Sequence, residues 1–355
     1  MVDLSLSAAD FADKILYWYD NHRRVLPWRE DPTPYHVWVS EIMLQQTQVQ
    51  TVLPYYERFT AALPDVAALA AVDQTRLHKL WEGLGYYSRA DHLHEAAELV
   101  MAEHDGLIPD AYDALLMLPG IGPYTAGAIA SIAFGQRVCA VDGNVLRILS
   151  RMTAYDGPIN VASTAKPLHL LAQSLVPAHR PGDFNQALMD LGAMVCSANG
   201  APHCKECPVA EGCLAKARSL TGVLPIKKPK KPRSIEQHAI IIFISDGKVW
   251  IQRRPQGRLL AGLWEFLDLP EAFNEDKLQS FLQDHALQPR AIHALGAARH
   301  IFTHKEWHMT GWMVELNEPF SPDRGRWVTV DSLDTTYAMA GAISFYRSRL
   351  FDTLL

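Results

Sequence analysis

The sequence predicts a multi-domain protein, with an all-α domain over residues 1–218, a basic linker over 219–234 and an α+β domain over 235–355. Three observations predict it. Up to residue 218, apolar side chains recur at three- and four-residue spacing with Pro or Gly at the breaks, the pattern of packed helices. The tract from Leu224 to Arg233, L-P-I-K-K-P-K-K-P-R, cannot continue a helix and holds too little apolar surface to fold alone. Beyond it the period changes. His238 to Ser245 and Lys248 to Gln252 are rich in β-branched residues around Asp246-Gly247, a hairpin signal, and Met309 to Leu316 and Gly325 to Val330 read as further strands.

With 355 residues, 48% apolar and 20% charged, the chain can bury two cores. Its net charge is −6, divided as 16 basic against 24 acidic residues in 1–218, five against none in the linker, and 12 against 15 after it. A grip on a polyanion must therefore come from local donors and the linker, not from bulk charge. No apolar run is long enough to cross a bilayer. The stretch from Phe11 to Trp18 reads as an amphipathic helix and not a signal peptide, so a cytoplasmic protein with no membrane partner is expected.

Taken in order, Leu26-Pro27-Trp28-Arg29 reads as a loop, in which Arg29 either is exposed beside a packing Trp28 or serves a nucleotide pocket. A helix follows through Val37 to Gln48. Glu41 sits in it among Val37, Trp38, Val39, Ile42 and Met43, where desolvation should raise its pKa, unless an Arg pairs with it. On the same helix Glu41, Gln45 and Gln48 should share a face, with Gln46 and Thr47 beside it offering amide and hydroxyl groups to base edges or backbone. Gly83 to Arg89, G-L-G-Y-Y-S-R, is a glycine-flexed turn carrying Tyr86 and Tyr87 ahead of a helix from Ala90 to Met101.

The centre of the first domain is L-P-G-I-G-P-Y-T-A-G, Leu118 to Gly127. Leu115, Leu116 and Leu118 end one helix, Pro119-Gly120 turns the chain, and Gly122 leaves the backbone bare before a second helix around Ala126 to Ala130. Such a helix-hairpin-helix leaves N–H groups free for one phosphate at a helix N-terminus; a tight αα corner is the plainer alternative. Asp142 follows, between an apolar run and a helix over Val145 to Met152. It reads either as an ordinary N-cap or as a carboxylate facing a cationic sugar beside the hairpin. Cys196, Cys204, Cys207 and Cys213 then lie at intervals of seven, two and five residues, a metal-site pattern, while Cys139 reads as packing. Zinc is one occupant of such thiolates, but zinc ribbons pair two C-x₂-C knuckles and this loop has one.

These motifs resemble the endonuclease III superfamily of base-excision DNA glycosylases and, within it, the MutY-type adenine glycosylases. The resemblance covers nearly the whole chain. It implies an enzyme that flips adenine out of double-stranded DNA, where it is mispaired with 8-oxoguanine or guanine, and hydrolyses its N-glycosidic bond. It assigns Glu41 as the acid that protonates adenine, at N7, Asp142 as the carboxylate that stabilises the oxocarbenium-like sugar, and Asn144 and Tyr124 as their supports. The lyases similar to endonuclease III carry a lysine at the position of Tyr124. A phenol cannot form a Schiff base, so base removal without strong strand cleavage follows.

Arg29, Gln45, Gln46, Thr47, Gly120 and Gly122 are thus the expected DNA contacts, and the resemblance makes Tyr86 a wedge that enters the base stack; aromatic packing on the next helix is the plainer reading, and it fits Tyr87. The four cysteines hold a [4Fe–4S] cluster, although the family usually has six residues in the first interval and this chain has seven. The stretch from Ile240 through Gly262-Leu263-Trp264-Glu265-Phe266 resembles a Nudix domain similar to MutT. Its candidate helix, Glu275 to His285, lacks the Arg-Glu-x-x-Glu-Glu tract of a hydrolase, which leaves a recognition module. In Arg299 to His304, Phe302, Thr303 and His304 would meet 8-oxoguanine, with Thr303 in place of the usual serine. The plainer reading is a strand end with Thr303 bonded to neighbouring backbone. A monomer associated with a bacterial nucleoid is expected.

Overall fold

Helices fill the first two thirds of the chain because apolar residues there recur at helical spacing, and side-chain caps open several of the runs. In the computed structural model, which describes residues 4–229, 231–255, 257–320 and 324–354, they are α1 (Ala8–His22), α2 (Pro27–Glu30), α3 (Pro34–Leu44), α4 (Val49–Ala62), α5 (Val66–Ala71), α6 (Gln74–Trp81), α7 (Ser88–Glu103), α8 (Tyr112–Leu115), α9 (Pro123–Ile132), α10 (Gly143–Met152), α11 (Ala162–Leu175), α12 (Pro181–Met194) and α13 (Leu214–Ala217). Ser7, Thr33, Asp73 and Asp142 supply N-cap oxygens to α1, α3, α6 and α10. Apolar faces of α1, α10, α11 and α12 meet in one core through Phe11, Ile15, Trp18, Ile148, Leu168, Phe184 and Leu188, all buried. Each such side chain contributes about 1.5–3 kcal/mol by leaving water.

The second part is a mixed sheet with helices: β1 (Ser234–Ser245), β2 (Lys248–Arg253), β3 (Trp264–Glu265), β4 (Leu267–Leu269), α14 (Glu275–Asp284), β5 (Pro289–Ile301), β6 (Lys305–Leu316), β7 (Arg326–Thr329), α15 (Val330–Thr335) and α16 (Ser344–Leu354). The strand order is β3-β2-β1-β6-β5, with β4 paired to β1 and β7 to β2. β1 and β6 run parallel from Ser234↔Lys305 to Ile244↔Glu315, and β5 and β6 form an antiparallel hairpin. Ile241, Phe243, Trp250 and Val314 of the sheet bury a core with Leu278 and Leu282 of α14.

The chain divides into two compact units, the first of residues 4–71 and 91–229, the second of residues 72–90 and 231–354. Within the second, Glu82 accepts from the Met339 N–H at 3.2 Å and from Arg347 at 3.1 Å, and Arg253 reaches Gln74 and Thr75 at 3.1 and 3.0 Å.

Four expectations are corrected. The helix holding Glu41 stops at Leu44, because Gln45 leaves helical geometry and Gln46 takes φ 58°, so Gln45 to Gln48 form a turn and share no helix face with Glu41. Pro27 to Glu30 is a single helical turn with Pro at its start, not a loop. The second helix of the hairpin begins at Pro123, three residues ahead of Ala126. The thirteen-residue strand β5 takes in Arg299 to Ile301, so only Phe302 to His304 form the turn.

Candidate active site

A cavity of about 510 Å³ opens in the first unit, lined among others by Trp28, Arg29, Glu41, Thr47, Tyr124, Asp142, Asn144 and Gln186. Glu41 reaches it from α3, Tyr124 from the first turn of α9, and Asp142 and Asn144 from the start of α10. The Tyr124 hydroxyl donates to Glu41 Oε2 at 2.7 Å. Burial pushes Glu41 up to about 7; the hydrogen bond from Tyr124 and the Arg29 charge oppose the rise, and the Asp142 charge adds to it. A carboxyl group half protonated near neutrality and facing a cavity is suited to proton transfer.

Asp142 is the N-cap of α10 and also lines the cavity. Its Oδ1 accepts from the Asn144 and Val145 N–H groups at 2.8 and 2.9 Å, and its Oδ2 from Asn144 Nδ2 at 2.6 Å. Burial raises its pKa, and these three donors oppose the shift. Asn144 is itself fixed by buried Arg147, which donates to Asn144 Oδ1 at 2.8 Å, to the Gly192 carbonyl at 2.7 Å and to the Cys196 carbonyl at 2.7 Å. A Cβ at Gly192 would fall 2.5 Å from Asn144 Cβ, so α12 approaches this closely only through glycine.

Arg29 is not an exposed arginine. Its guanidinium makes a two-pronged bond to Asp190, at 2.7 and 3.0 Å, and Arg24 binds the same carboxylate at 2.6 and 2.8 Å. Burial pushes Asp190 up, but the Arg29 and Arg24 charges overcome it and hold the carboxyl below the usual range. Sequence reasoning misses Asp190, although a carboxylate between Met189 and Leu191 on an apolar helix carries the same signal as Glu41. Arg147 and Gln186 carry no comparable signal.

The hairpin between α8 and α9 turns at Gly120, whose φ of +73° and a would-be Cβ 2.7 Å from His92 Cβ both require glycine. Gly122 is different. Its φ is −95°, no side chain caps α9 there, and a Cβ would meet open space, so this side of the turn is open at the helix start. Gln45 donates to Thr125 Oγ1 in that turn at 3.3 Å; Gln46 is exposed and Thr47 half-buried.

Cys196, Cys204, Cys207 and Cys213 line one further cavity, with Ile148, Met152 and Leu191 behind them. Arg151 Nη1 lies 3.3 Å from Cys196 Sγ. Among the described residues no three His, Cys, Asp or Glu side chains converge as ligands of one metal ion would. The four thiols around one cavity fit the four corner ligands that a [4Fe–4S] cluster takes. Cys139, by contrast, is buried packing.

In the second unit Tyr86 is 45% exposed in a left-handed conformation between Gly85 and Tyr87, while Tyr87 is buried against His78. The Tyr86 hydroxyl lies 3.1 Å from Thr303 Oγ1, so Thr303 bonds a side chain and not the neighbouring backbone of the plainer reading. Thr303 and His304 are exposed at the tip of the β5–β6 hairpin, and Phe302 is half-buried, its N–H bonded to the Lys305 carbonyl.

Residues 39–198 match the HhH-GPD superfamily of base excision DNA repair proteins, and residues 238–345 match the NUDIX domain. The chain is 37% identical to the adenine DNA glycosylase of Homo sapiens across 92% of this chain and 71% of that protein. It is 32% identical to that of Buchnera aphidicola from Acyrthosiphon pisum, across 86% of this chain and 87% of that protein. Among solved structures, a thermostable thymine-DNA glycosylase aligns with 30% identity and a TM-score of 0.55 over 59% of this chain and 97% of its own. A non-covalent endonuclease III–DNA complex shares the fold at 20% identity and a TM-score of 0.52, over 61% of this chain and 99% of its own. With an endonuclease III-like helical domain, a Nudix-like domain on a mixed sheet and relatives of one activity matched over most of the chain, the chain belongs to the adenine DNA glycosylases of base excision repair, the MutY type.

Proposed function

We propose that this glycosylase binds duplex DNA and excises adenine mispaired with 8-oxoguanine or guanine, hydrolytically and without strand cleavage. The observation that carries the reading is the pairing, in one cavity, of a buried Glu41, pushed up to about 7 by desolvation, with an Asp142 held by three N–H donors. Protonated Glu41 donates to adenine N7. The C1′–N9 bond then breaks with its electron pair going to the base, and Asp142 stabilises the cation left on the sugar. Water adds to C1′, and its proton passes to a carboxylate. Tyr124 steers Glu41 through its hydroxyl, and no amine takes its place to attack the sugar. Asn144 holds Asp142 in register, and Arg29, fixed by Asp190, lines the pocket.

For DNA, the open N-terminus of α9 at Gly120 and Gly122 suits a phosphate, and Gln45, Gln46 and Thr47 in the turn before α4 suit the strand beside the flipped base. Exposed Tyr86 suits a wedge. Phe302, Thr303 and His304 suit the opposite base, since 8-oxoguanine carries an N7–H donor that guanine lacks and the Thr303 hydroxyl can accept from it. The four cysteines would hold a [4Fe–4S] cluster, which supplies structural cross-linking of the loop. The test is incubation with duplexes holding adenine opposite 8-oxoguanine, guanine or thymine, resolved with and without alkali. Breaks from the first two that require alkali support the reading; efficient breaks without alkali, or equal excision opposite thymine, reject it.

A further inference from the structure

The turn Phe302 to His304 is mounted on a buried tryptophan. Trp307, 1% exposed, stands in β6 opposite Glu236 of β1 and His300 of β5. Its ring meets Phe302 nearly edge-on at 4.9 Å and lies 4.1 Å from the His238 ring, with the Arg254 guanidinium 5.0 Å from its centre. Its Nε1 donates to Glu236 Oε2 at 2.9 Å, and the other oxygen of Glu236 holds Lys305 at 2.5 Å. Behind it, Asp268 accepts from His238 at 2.6 Å and from Arg254 at 2.5 Å, and Arg254 also pairs with Glu265. The His300 ring, 4.6 Å away, flanks Phe302 on another side. An indole with the Arg254 guanidinium over its face, the His238 ring tilted against it and a hydrogen bond at its edge is held in one orientation. The phenyl ring resting on it inherits that fixed angle.

We propose that Trp307 and Glu236 are positioning residues that set the Phe302 ring for the opposite base, so that the preference for 8-oxoguanine over guanine depends on them although neither reaches the tip of the turn. The inference rests on the reading that this turn meets the lesion. A ring free to rotate must be immobilised when the base arrives, at a cost that corresponds to a loss of about three- to tenfold for one side chain.

The test uses the full-length protein with its cluster, and single-turnover adenine release from A:8-oxoguanine and A:guanine duplexes. Glu236→Ala and Trp307→Phe, each of which removes the Nε1 bond, should lower the rate ratio between the two substrates by about three- to tenfold. Release opposite guanine should stay near wild type. Glu236→Gln should restore the ratio, because its amide oxygen still accepts from Nε1. Phe302→Ala with Thr303→Ala serves as the reference for the turn itself. Equal losses on both substrates, or a ratio that Glu236→Gln fails to restore, overturn the proposal. So does a wild-type ratio in Glu236→Ala and Trp307→Phe beside a reference that has lost preference, which leaves the reading of the turn standing. A reference that keeps its full preference overturns that reading and the mount together.

Discussion

Glu41 shows how a single side chain ties stability to chemistry. Its folded pKa of about 7 lies above its ordinary 4.5, so its contribution favours the fold fully below about 4.5 and is lost as pH rises through 7. Above that, the buried charge costs about 3 kcal/mol, because each tenfold change in proton affinity corresponds to about 1.4 kcal/mol. Glu41→Gln should therefore raise the urea midpoint at pH 8–9 and much less at pH 5; an equal effect at both pH values would contradict a buried carboxylate whose pKa is raised. The same titration shapes activity. Adenine release should fall as pH rises through about 7, where Glu41 loses the proton it must donate, and should fall again at low pH as Asp142, itself raised by burial, becomes neutral. Tyr124→Phe removes the O–H that favours the Glu41 carboxylate, so the alkaline limb should move to higher pH; a limb that stays or moves down would show that the bond has no such role. Glu41 was legible in the sequence because five apolar neighbours surround it within six positions. Arg147 was not, since an arginine on an exposed-looking turn of α10 gives no sign that it will bond Asn144 and two carbonyls from distant residues.

At the scale of elements, the two glycines of the hairpin separate structure from binding. Gly120→Ala should cost about 1–3 kcal/mol in urea unfolding, because it forces a left-handed alanine against His92. Gly122→Ala should leave stability nearly unchanged and weaken duplex affinity, because its Cβ would occupy the open side of α9. The reverse pattern would rule out a phosphate site there. The cysteine loop should carry about four irons and four sulfides per chain, as one [4Fe–4S] cluster requires. Stoichiometric zinc without sulfide, in protein purified anaerobically, would exclude it. The hairpin, the cysteine loop and the Asp246-Gly247 turn could be read in advance because glycine, proline and cysteine spacing fix local geometry. Two features could not. The break after Leu44 rests on the left-handed φ of Gln46, a residue with no special preference for it, and β5 is rich in Ala and His, with register shifts at Pro289/Ala291 and Ala294/Gly296 that blur its alternation.

For the whole molecule, the sequence foretold two folds of unlike class because the hydrophobic period changes after the basic tract. It did not foretell that residues 72–90, which read as part of the helical run, would belong to the second compact unit, where Tyr86 meets Thr303. That assignment depends on contacts between positions 178 to 265 apart in sequence, which no local pattern encodes. With a net charge of −6, bulk charge does not attract DNA; if the five basic residues of the linker add phosphate contacts to the local ones, duplex affinity should weaken steeply with salt. The central claim is that two carboxylates of one cavity, one protonated and one charged, carry the reaction. It is tested most directly by single-turnover adenine release from an A:8-oxoguanine duplex by Glu41→Gln and Asp142→Asn, with duplex affinity measured on the same proteins. Each variant should lose at least about 10²-fold in rate, the scale of general acid catalysis and of charge stabilisation, while binding the duplex nearly as wild type does. A wild-type rate in either variant would contradict the mechanism.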